Sequence, residues 1–180
     1  MVIIIEGIDR VGKTTLANKI SKEFNVPIYK QNRIGGNFVS LSKSRSGNVF
    51  ATNNILDNYV RAKTLVDFWN WSGFTQNIII DRFHWTEAVY SLVDRDGPSQ
   101  YENMKLIERD MLEQKDKYII IHVVPMDIGW SSRQHGSDLT KHYKEFSKLY
   151  NDSKLNKCAC SLISMDMVID KVRGVLNGEG

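Results

Sequence analysis

Eight residues near the amino terminus have the pattern of a phosphate-binding loop. The segment from Gly7 to Thr14 reads G-I-D-R-V-G-K-T and satisfies the spacing G-x-x-x-x-G-K-[S/T]. It follows an apolar run and precedes a helical pattern, so backbone N–H groups and the positive end of the helix dipole converge on an anion. The pattern predicts that the loop binds the phosphates of a nucleotide. The alternative is a plain turn between a strand and a helix.

Two side chains of the loop and one distant carboxylate have defined chemistry with phosphate. Lys13 is expected to bridge the β- and γ-phosphates, and Thr14 to offer its hydroxyl to Mg²⁺. Asp81 ends the apolar run I-I-I-D, which predicts a carboxylate at the carboxyl end of the sheet, where it could hold the same Mg²⁺. Asp81 could instead cap the following helix. The predicted ATP-binding residues are Gly7, Ile8, Asp9, Arg10, Val11, Gly12, Lys13, Thr14 and Thr15.

Arginines recur after the predicted strands, at Arg33, Arg61, Arg82 and Arg133. Each alone is typical of a solvated or salt-bridged surface residue. Together they match the need to hold the phosphates of a donor and an acceptor close to each other. The formal net charge of +3 suits a phosphate-bearing ligand but is too small to indicate binding to duplex DNA. Nucleic acid is therefore disfavoured as a partner without being excluded.

The elements that must position these residues alternate along the chain. Apolar runs predict strands at 2–6, 26–30, 78–81, 118–124 and 158–164. Amphipathic stretches predict helices at 13–24, 53–71, 86–92, 101–115, 138–150 and 165–176. The strands show little polar alternation, which is typical of parallel strands covered on both faces. The order predicts a three-layer α/β/α P-loop NTPase fold with a five-stranded parallel sheet and a short lid.

Length and composition bound the protein class. The 180 residues, 42% hydrophobic and 25% charged, predict one domain over 1–180, with a short polar lid at about 131–138. No apolar run approaches the roughly 18 residues of a membrane span, and the start lacks the features of a signal peptide. A cytoplasmic protein is therefore expected, with a homodimer left open. Cys158 and Cys160 are expected to be reduced and buried, without a metal role.

The four histidines have no spacing that indicates a metal site. His122 is predicted to lie in the interior, on the fourth strand, and His142 at the surface. His84 could contact substrate, or it could cap a helix or stack on Trp85. His135 lies in the predicted lid, where an imidazole could meet phosphate.

The quoted motifs resemble those of the thymidylate kinases. Residues 6–15, E-G-I-D-R-V-G-K-T-T, are similar to the family's first motif, E-G-x-D-x-x-G-K-[ST]-[ST]. Residues 81–83, D-R-F, followed by Thr86 and Tyr90, resemble its D-R-[YF] motif with the downstream hydroxyl and aromatic positions. The resemblance is strong in these two segments and weak over most of the remaining chain.

The resemblance implies a role for each matching residue. Asp9 would approach the 3′-hydroxyl of the acceptor sugar, and Arg10 the transferring phosphoryl group. Arg82 would bind the acceptor phosphate, and Tyr90 would pack against the sugar and reject a 2′-hydroxyl. Arg133 would stand at the start of the lid. The implied catalytic residues are Lys13, Arg10, Asp81 and Arg133. The implied acceptor-binding residues are Asp9, Arg33, Arg61, Arg82 and Tyr90, and Thr14 and Asp81 are the metal ligands.

Three departures from the family pattern affect the identity of the acceptor. The lid is short and has few charges, Asp57 stands where the family often has an aromatic residue, and residues 35–48 form a polar segment. The favoured function is Mg²⁺–ATP-dependent phosphoryl transfer to a (deoxy)nucleoside monophosphate, with dTMP or a related pyrimidine deoxynucleotide first. The segment 29–33, Y-K-Q-N-R, has no carboxylate to serve as a base for a neutral hydroxyl. The alternatives are a kinase of a deoxynucleoside or of a base or end in DNA, and an NTPase switch.

Overall fold

A parallel sheet of five strands forms the centre of the protein. The structure, a computed structural model, describes residues 1–30, 59–60, 62–71, 73, 75–94 and 101–177. The strands are β1 (Val2–Glu6), β2 (Ile28–Lys30), β3 (Ile78–Asp81), β4 (Tyr118–Val123) and β5 (Lys157–Cys160). They are arranged in the order β2-β3-β1-β4-β5, and all neighbouring pairs are parallel. The α/β fold with a five-stranded parallel sheet is therefore confirmed.

Helices connect the strands and cover the sheet. Within the described ranges they are α1 (Lys13–Phe24), α2 (residues 59–60 and 62–71), α3 (His84–Val93), α4 (Tyr101–Leu112), α5 (Ile128–His135), α6 (Thr140–Asp152) and α7 (Met165–Leu176). A single 3₁₀ turn, Lys115–Lys117, precedes β4. Helix α3 packs against α4 and α6, while α1 packs against α7. These two groups of helices are consistent with the predicted three layers.

The central strand, β1, carries the core of the protein. Ile3, Ile4 and Ile5 are fully buried, as are Ile79 and Ile80 of the adjacent β3. Successive side chains of a strand point to opposite faces, so both faces of the sheet are covered. From β1 the chain first builds β2 and β3 on one side and then β4 and β5 on the other. The carboxyl end of β1 therefore lies at the switch point where ligands bind in such sheets.

Strand β5 is shorter than its sequence predicted. It ends at Cys160, and residues 161–164 form a turn instead of the predicted continuation. The backbone N–H of Ser161 donates to Ser164 Oγ at 2.8 Å, and the N–H of Ser164 donates to the Ser161 carbonyl at 3.1 Å. Serine side chains compete in this way with the hydrogen bonds of a sheet.

Helix α5 was not predicted. Its first turn is capped by Asp127, whose side chain accepts from the N–H of Gly129 at 2.7 Å. Gly136, with φ of 81°, ends the helix in the left-handed region. The segment that we predicted as a lid, 131–138, therefore contains the second half of a helix and the turn after it. Its role as a lid stays a prediction.

Other expectations had mixed outcomes. Trp69 is buried and Trp71 is exposed, because residues two apart on a helix point to different sides of it. The prediction that His142 lies at the surface was wrong, because α6 packs against α3 and buries it. Both cysteines are free thiols, but Cys158 is only half-buried, whereas Cys160 is buried. No helix among the described residues is long and apolar enough to cross a membrane.

Candidate nucleotide-binding site

The loop between β1 and α1 depends on two glycines. Gly7 has φ of 139°, and a Cβ there would lie 2.4 Å from the carbonyl oxygen of Val123 on β4. Gly12 has φ of 94° and stands immediately before α1. Both conformations lie in the region that favours glycine. Arg10 adopts φ of 66° in the same loop, although it carries a side chain.

Lys13 lies under the loop with its charge withdrawn from solvent. Its side chain is 4% exposed, and Nζ donates a hydrogen bond to the backbone carbonyl of Ile8. Burial and the neighbouring Arg82 guanidinium lower the pKa of Lys13 to about 8, against the opposing effect of nearby carboxylates. A bound phosphate would add negative charge beside this ammonium group and favour its charged form.

Thr14 and Asp81 meet at the carboxyl ends of β1 and β3. Asp81 pairs in register with Ile5, and its Oδ2 accepts a hydrogen bond from Thr14 Oγ1 at 3.0 Å. Asp81 is 6% exposed, and its Oδ1 has no hydrogen-bond partner among the described residues. A buried carboxylate oxygen that has no hydrogen-bond partner and lies beside a hydroxyl is a suitable ligand for a hard, oxygen-preferring cation such as Mg²⁺.

This pair cannot form a complete metal site by itself. Within the described ranges, no group of three or more His, Cys, Asp and Glu side chains is arranged to hold a metal ion. Mg²⁺ in nucleotide enzymes is typically held by one or two protein oxygens together with phosphates and water. The donor set at Thr14 and Asp81 fits this mode.

Asp9 is the centre of a charge cluster at the mouth of the site. Its Oδ1 lies 2.7 Å from Arg82 Nη2 and 3.7 Å from Lys13 Nζ. Its Oδ2 lies 3.3 Å from His135 Nε2, at the end of α5. Arg82 follows β3 with φ of 75°, and its backbone N–H donates to the carbonyl of Ile5 at 3.0 Å. One carboxylate therefore faces three basic side chains.

Glu6, which the sequence analysis assigned only to a motif, fixes the start of α3. Its fully buried carboxylate accepts hydrogen bonds from the backbone N–H groups of Phe83 and Trp85 at 3.0 Å and of Thr86 at 3.1 Å. Burial raises the pKa of Glu6, while His84 and these hydrogen bonds oppose the rise. Glu6 satisfies the first N–H groups of α3 and so holds the segment that carries Asp81 and Arg82. The available signal was a carboxylate at the end of an otherwise apolar strand.

Tyr90 lies beneath the loop. It is 6% exposed, and its phenolic oxygen accepts a hydrogen bond from the backbone N–H of Asp9 at 3.1 Å. Its ring centroid lies 4.8 Å from that of His142 and 6.3 Å from that of Phe146. This placement favours packing and support of the loop over contact with a substrate sugar.

Two adjacent clefts open at the loop. A polar cleft of about 510 Å³ is lined by Asp9, Arg10, Gly12, Lys13, Thr14, Thr15, Arg82 and His135. An apolar cleft of about 300 Å³ is lined by Arg10, Val11, Pro125, Met126, Asp127, Trp130, Ser131 and Leu162. Arg10 borders both clefts. A polar cavity for phosphates beside an apolar cavity for a base matches the two parts of a nucleotide.

The structure describes only some of the remaining predicted residues. Arg33 and Arg61 lie outside the described residues. The side chain of Arg133 is 70% exposed, and its Nη2 lies 3.8 Å from Asp127 Oδ2. Arg133 lines neither cleft. Ile8 is fully buried and provides only backbone groups to the loop.

Comparison with known proteins supports the fold. No protein-family model matches the chain. It is similar to the SPbeta prophage-derived uncharacterized protein YorR of Bacillus subtilis (strain 168), with 29% identity over 136 residues, covering 76% of this chain and 70% of that protein. The alignment with the crystal structure of YorR in complex with phosphorylated GDP covers 98% of this chain and 96% of the YorR chain, with a TM-score of 0.63 and 23% identity.

Two kinases share the same architecture. Deoxyadenosine kinase from M. mycoides, solved with the products dCMP and a flexible dCDP, covers 99% of this chain and 100% of its own, with a TM-score of 0.62 and 16% identity. The alignment with thymidylate kinase from Candida albicans covers 98% of this chain and 91% of the kinase chain, with a TM-score of 0.54 and 16% identity. At these identities the likeness shows the fold alone, which this chain shares with these kinases.

Proposed function

We propose that the protein is a kinase that transfers the γ-phosphoryl group of ATP to a (deoxy)nucleoside monophosphate, with Mg²⁺ as cofactor. The observation that carries this proposal is the cluster in the polar cleft. Lys13 and Arg82 flank the Asp9 carboxylate, and the Thr14–Asp81 pair lies beside them. The kinases among the solved structures that share the fold support the class of reaction.

The donor side of the cleft is suited to a triphosphate. The N–H groups of the glycine loop and the Lys13 ammonium neutralise phosphate charge, and Thr14 and Asp81 would hold Mg²⁺. When bound, Mg²⁺ neutralises charge that develops on the β- and γ-phosphate oxygens. Arg10 borders both clefts, so its guanidinium can reach phosphates while the base occupies the apolar cleft.

The acceptor side is suited to an anion. The Arg82 side chain is one-third exposed and borders the cleft, so its guanidinium is accessible to an anionic ligand. A monophosphate offers two oxygens to the guanidinium fork, and it is already anionic.

The base of the acceptor has two candidates, each supported by a separate observation. The motifs that resemble thymidylate kinases favour dTMP or a related pyrimidine deoxynucleotide. The YorR structure contains phosphorylated GDP, which favours a guanine nucleotide. A deoxynucleoside acceptor is the alternative that the likeness to deoxyadenosine kinase supports. Such an enzyme, with nucleotides as substrates, is proposed to act in the cytoplasm.

ADP release measured against a panel of acceptors tests the proposal. The panel contains the deoxynucleosides, the ribo- and deoxynucleoside monophosphates and a single-stranded DNA oligomer, each with Mg²⁺–ATP. We expect turnover with monophosphates only, and loss of kcat by orders of magnitude in Lys13→Ala, because the Lys13 charge acts mainly in the transition state. Acceptor-independent ATP hydrolysis would support a switch, and turnover with nucleosides alone would replace the proposed acceptor.

A further inference from the structure

We infer that His135 is the residue of α5 that contacts the γ-phosphoryl group of bound ATP. The inference rests on the proposed function and assigns one more residue to the same site. His135 is the last residue of α5, and it lines the polar cleft with Lys13 and Arg82. Its Nε2 lies 3.3 Å from Asp9 Oδ2, and its side chain is 30% exposed. The imidazole is therefore already within the cleft and accessible to a ligand.

The orientation of the ring makes Nε2 the donor toward the cleft. The other ring nitrogen, Nδ1, lies 2.7 Å from Ser137 Oγ, just after the helix. A carboxylate can only accept, so a favourable contact with Asp9 requires a proton on Nε2. In the neutral ring Nδ1 then accepts from the Ser137 hydroxyl, and in the cation it donates. Nε2 carries a proton in both forms and can donate to a phosphate oxygen.

The geometry of α5 separates His135 from Arg133. Residues two apart on an α-helix point about 200° away from each other, so the two side chains cannot face the same cleft. Arg133 is 70% exposed and lies near Asp127, at the other end of the helix. Gly136 ends the helix at this point and fixes which residue reaches the cleft.

The Asp9 carboxylate occupies the place of a ligand anion between two hydrogen-bond donors, the Arg82 guanidinium and the His135 imidazole. Oδ1 faces Arg82 at 2.7 Å, and Oδ2 faces His135 at 3.3 Å. A γ-phosphoryl group beside Lys13 presents more negative charge than Asp9 and draws Nε2–H to its oxygen. In the reaction an acceptor phosphate oxygen forms a bond to the γ-phosphorus while the bond to the β,γ-bridging oxygen breaks. ADP keeps the electron pair of that broken bond, and His135 stabilises charge on the transferring group.

Calorimetric binding of ATP and ADP, without an acceptor, tests the contact independently of catalysis. His135→Ala should weaken ATP binding roughly 3- to 30-fold and leave ADP binding within about twofold, because only ATP has the γ-phosphate. His135→Arg should restore the preference for ATP. The matched control is Gln134→Ala, which truncates an exposed side chain in the same helical turn. An unchanged ratio of ATP to ADP affinities in His135→Ala would overturn the inference.

Turnover then separates this inference from the proposed function. With a monophosphate acceptor, His135→Ala should lower kcat roughly 10- to 100-fold, and His135→Arg should recover most of it. If the wild-type protein phosphorylates no acceptor, the proposed function fails, while the affinity ratio still decides whether His135 contacts the γ-phosphate. If His135→Arg and His135→Ala are equally impaired in both measurements although folded by circular dichroism, the imidazole is only structural and the inference is wrong.

Discussion

The phenolic oxygen of Tyr90 accepts a hydrogen bond from the backbone N–H of Asp9 at 3.1 Å, which ties α3 directly to the phosphate loop. The two residues are 81 positions apart in the sequence. The resemblance to thymidylate kinases implies that the Tyr90 side chain packs against a sugar. The Tyr90 ring is buried against His142 and Phe146 instead.

Removing only the Tyr90 hydroxyl should therefore affect the loop and not the choice of sugar. Tyr90→Phe is expected to lower the free energy of unfolding by about 1 kcal/mol, the usual net value of one hydrogen bond. The ratio of kcat/KM for deoxy- and ribonucleoside monophosphates should stay unchanged. Urea denaturation and paired assays measure the two effects, with Tyr143→Phe on α6 as the control. If this deoxy-to-ribo ratio falls ten-fold or more, the Tyr90 hydroxyl contributes to the choice of sugar.

Replacing Glu6 by glutamine should destabilise the protein strongly. The amide has one acceptor oxygen, and its NH₂ group would face the N–H donors at the start of α3. Glu6→Gln is expected to lower the free energy of unfolding by about 2–4 kcal/mol. Chemical denaturation measures the loss, with the exposed Glu113→Gln as the matched control. A loss below that of the control would show that another group caps the helix.

Arg10→Gly should separate stability from turnover. Arg10 has φ of 66°, a conformation that glycine adopts more readily, so the variant should be at least as stable as the wild type. The guanidinium borders both clefts, and its loss should lower kcat roughly 10³-fold, as for the loss of an arginine finger. Asn25→Gly, at φ of 53° on the exposed end of α1, is the control for the backbone effect. Unchanged kcat would remove Arg10 from the catalytic residues.

His122 should make stability depend on pH in a defined range. Burial, with a smaller contribution from Lys13, lowers its pKa to about 4 from 6.5, and the unfolded chain therefore binds more protons between these values. Stability should be full above about pH 6.5 and fall by about 1.4 kcal/mol per pH unit toward pH 4.

His122→Phe tests this dependence. The ring lies among Trp85, Phe146 and Tyr150, and its Nε2 has no hydrogen-bond partner among the described residues. The phenyl ring should keep these contacts and flatten the slope between pH 4 and 6.5. Urea denaturation at several pH values measures it. An equally steep slope in the variant would assign the dependence to another group.

The sheet and most helices could be predicted from sequence because their signals are local. Val2–Glu6 and Ile78–Asp81 are apolar up to the carboxylate that ends each run, and each run occupies the strand that it predicts. Helix α5 could not be found in this way, since it spans only Ile128–His135 and contains a glycine and two serines. Its signals were the capping Asp127 and the terminal Gly136.

The candidate site was predictable only where a motif is contiguous. The pairing of Thr14 with Asp81 follows from two motifs at the ends of adjacent strands. The roles of Glu6 and His135 depend on which helix ends meet the loop, and no spacing along the chain encodes that. The burial of His142 likewise follows from the packing of α6 on α3.

The absence of a side chain at Gly7 joins the phosphate loop to β4, because the Val123 carbonyl oxygen occupies the space that a Cβ would need. Val123 is the last residue of β4, and only four residues separate it from the first residue of α5. The loop is therefore packed against main-chain atoms that shortly precede the helix ending at His135. A side chain at position 7 would therefore require the loop and β4 to move apart.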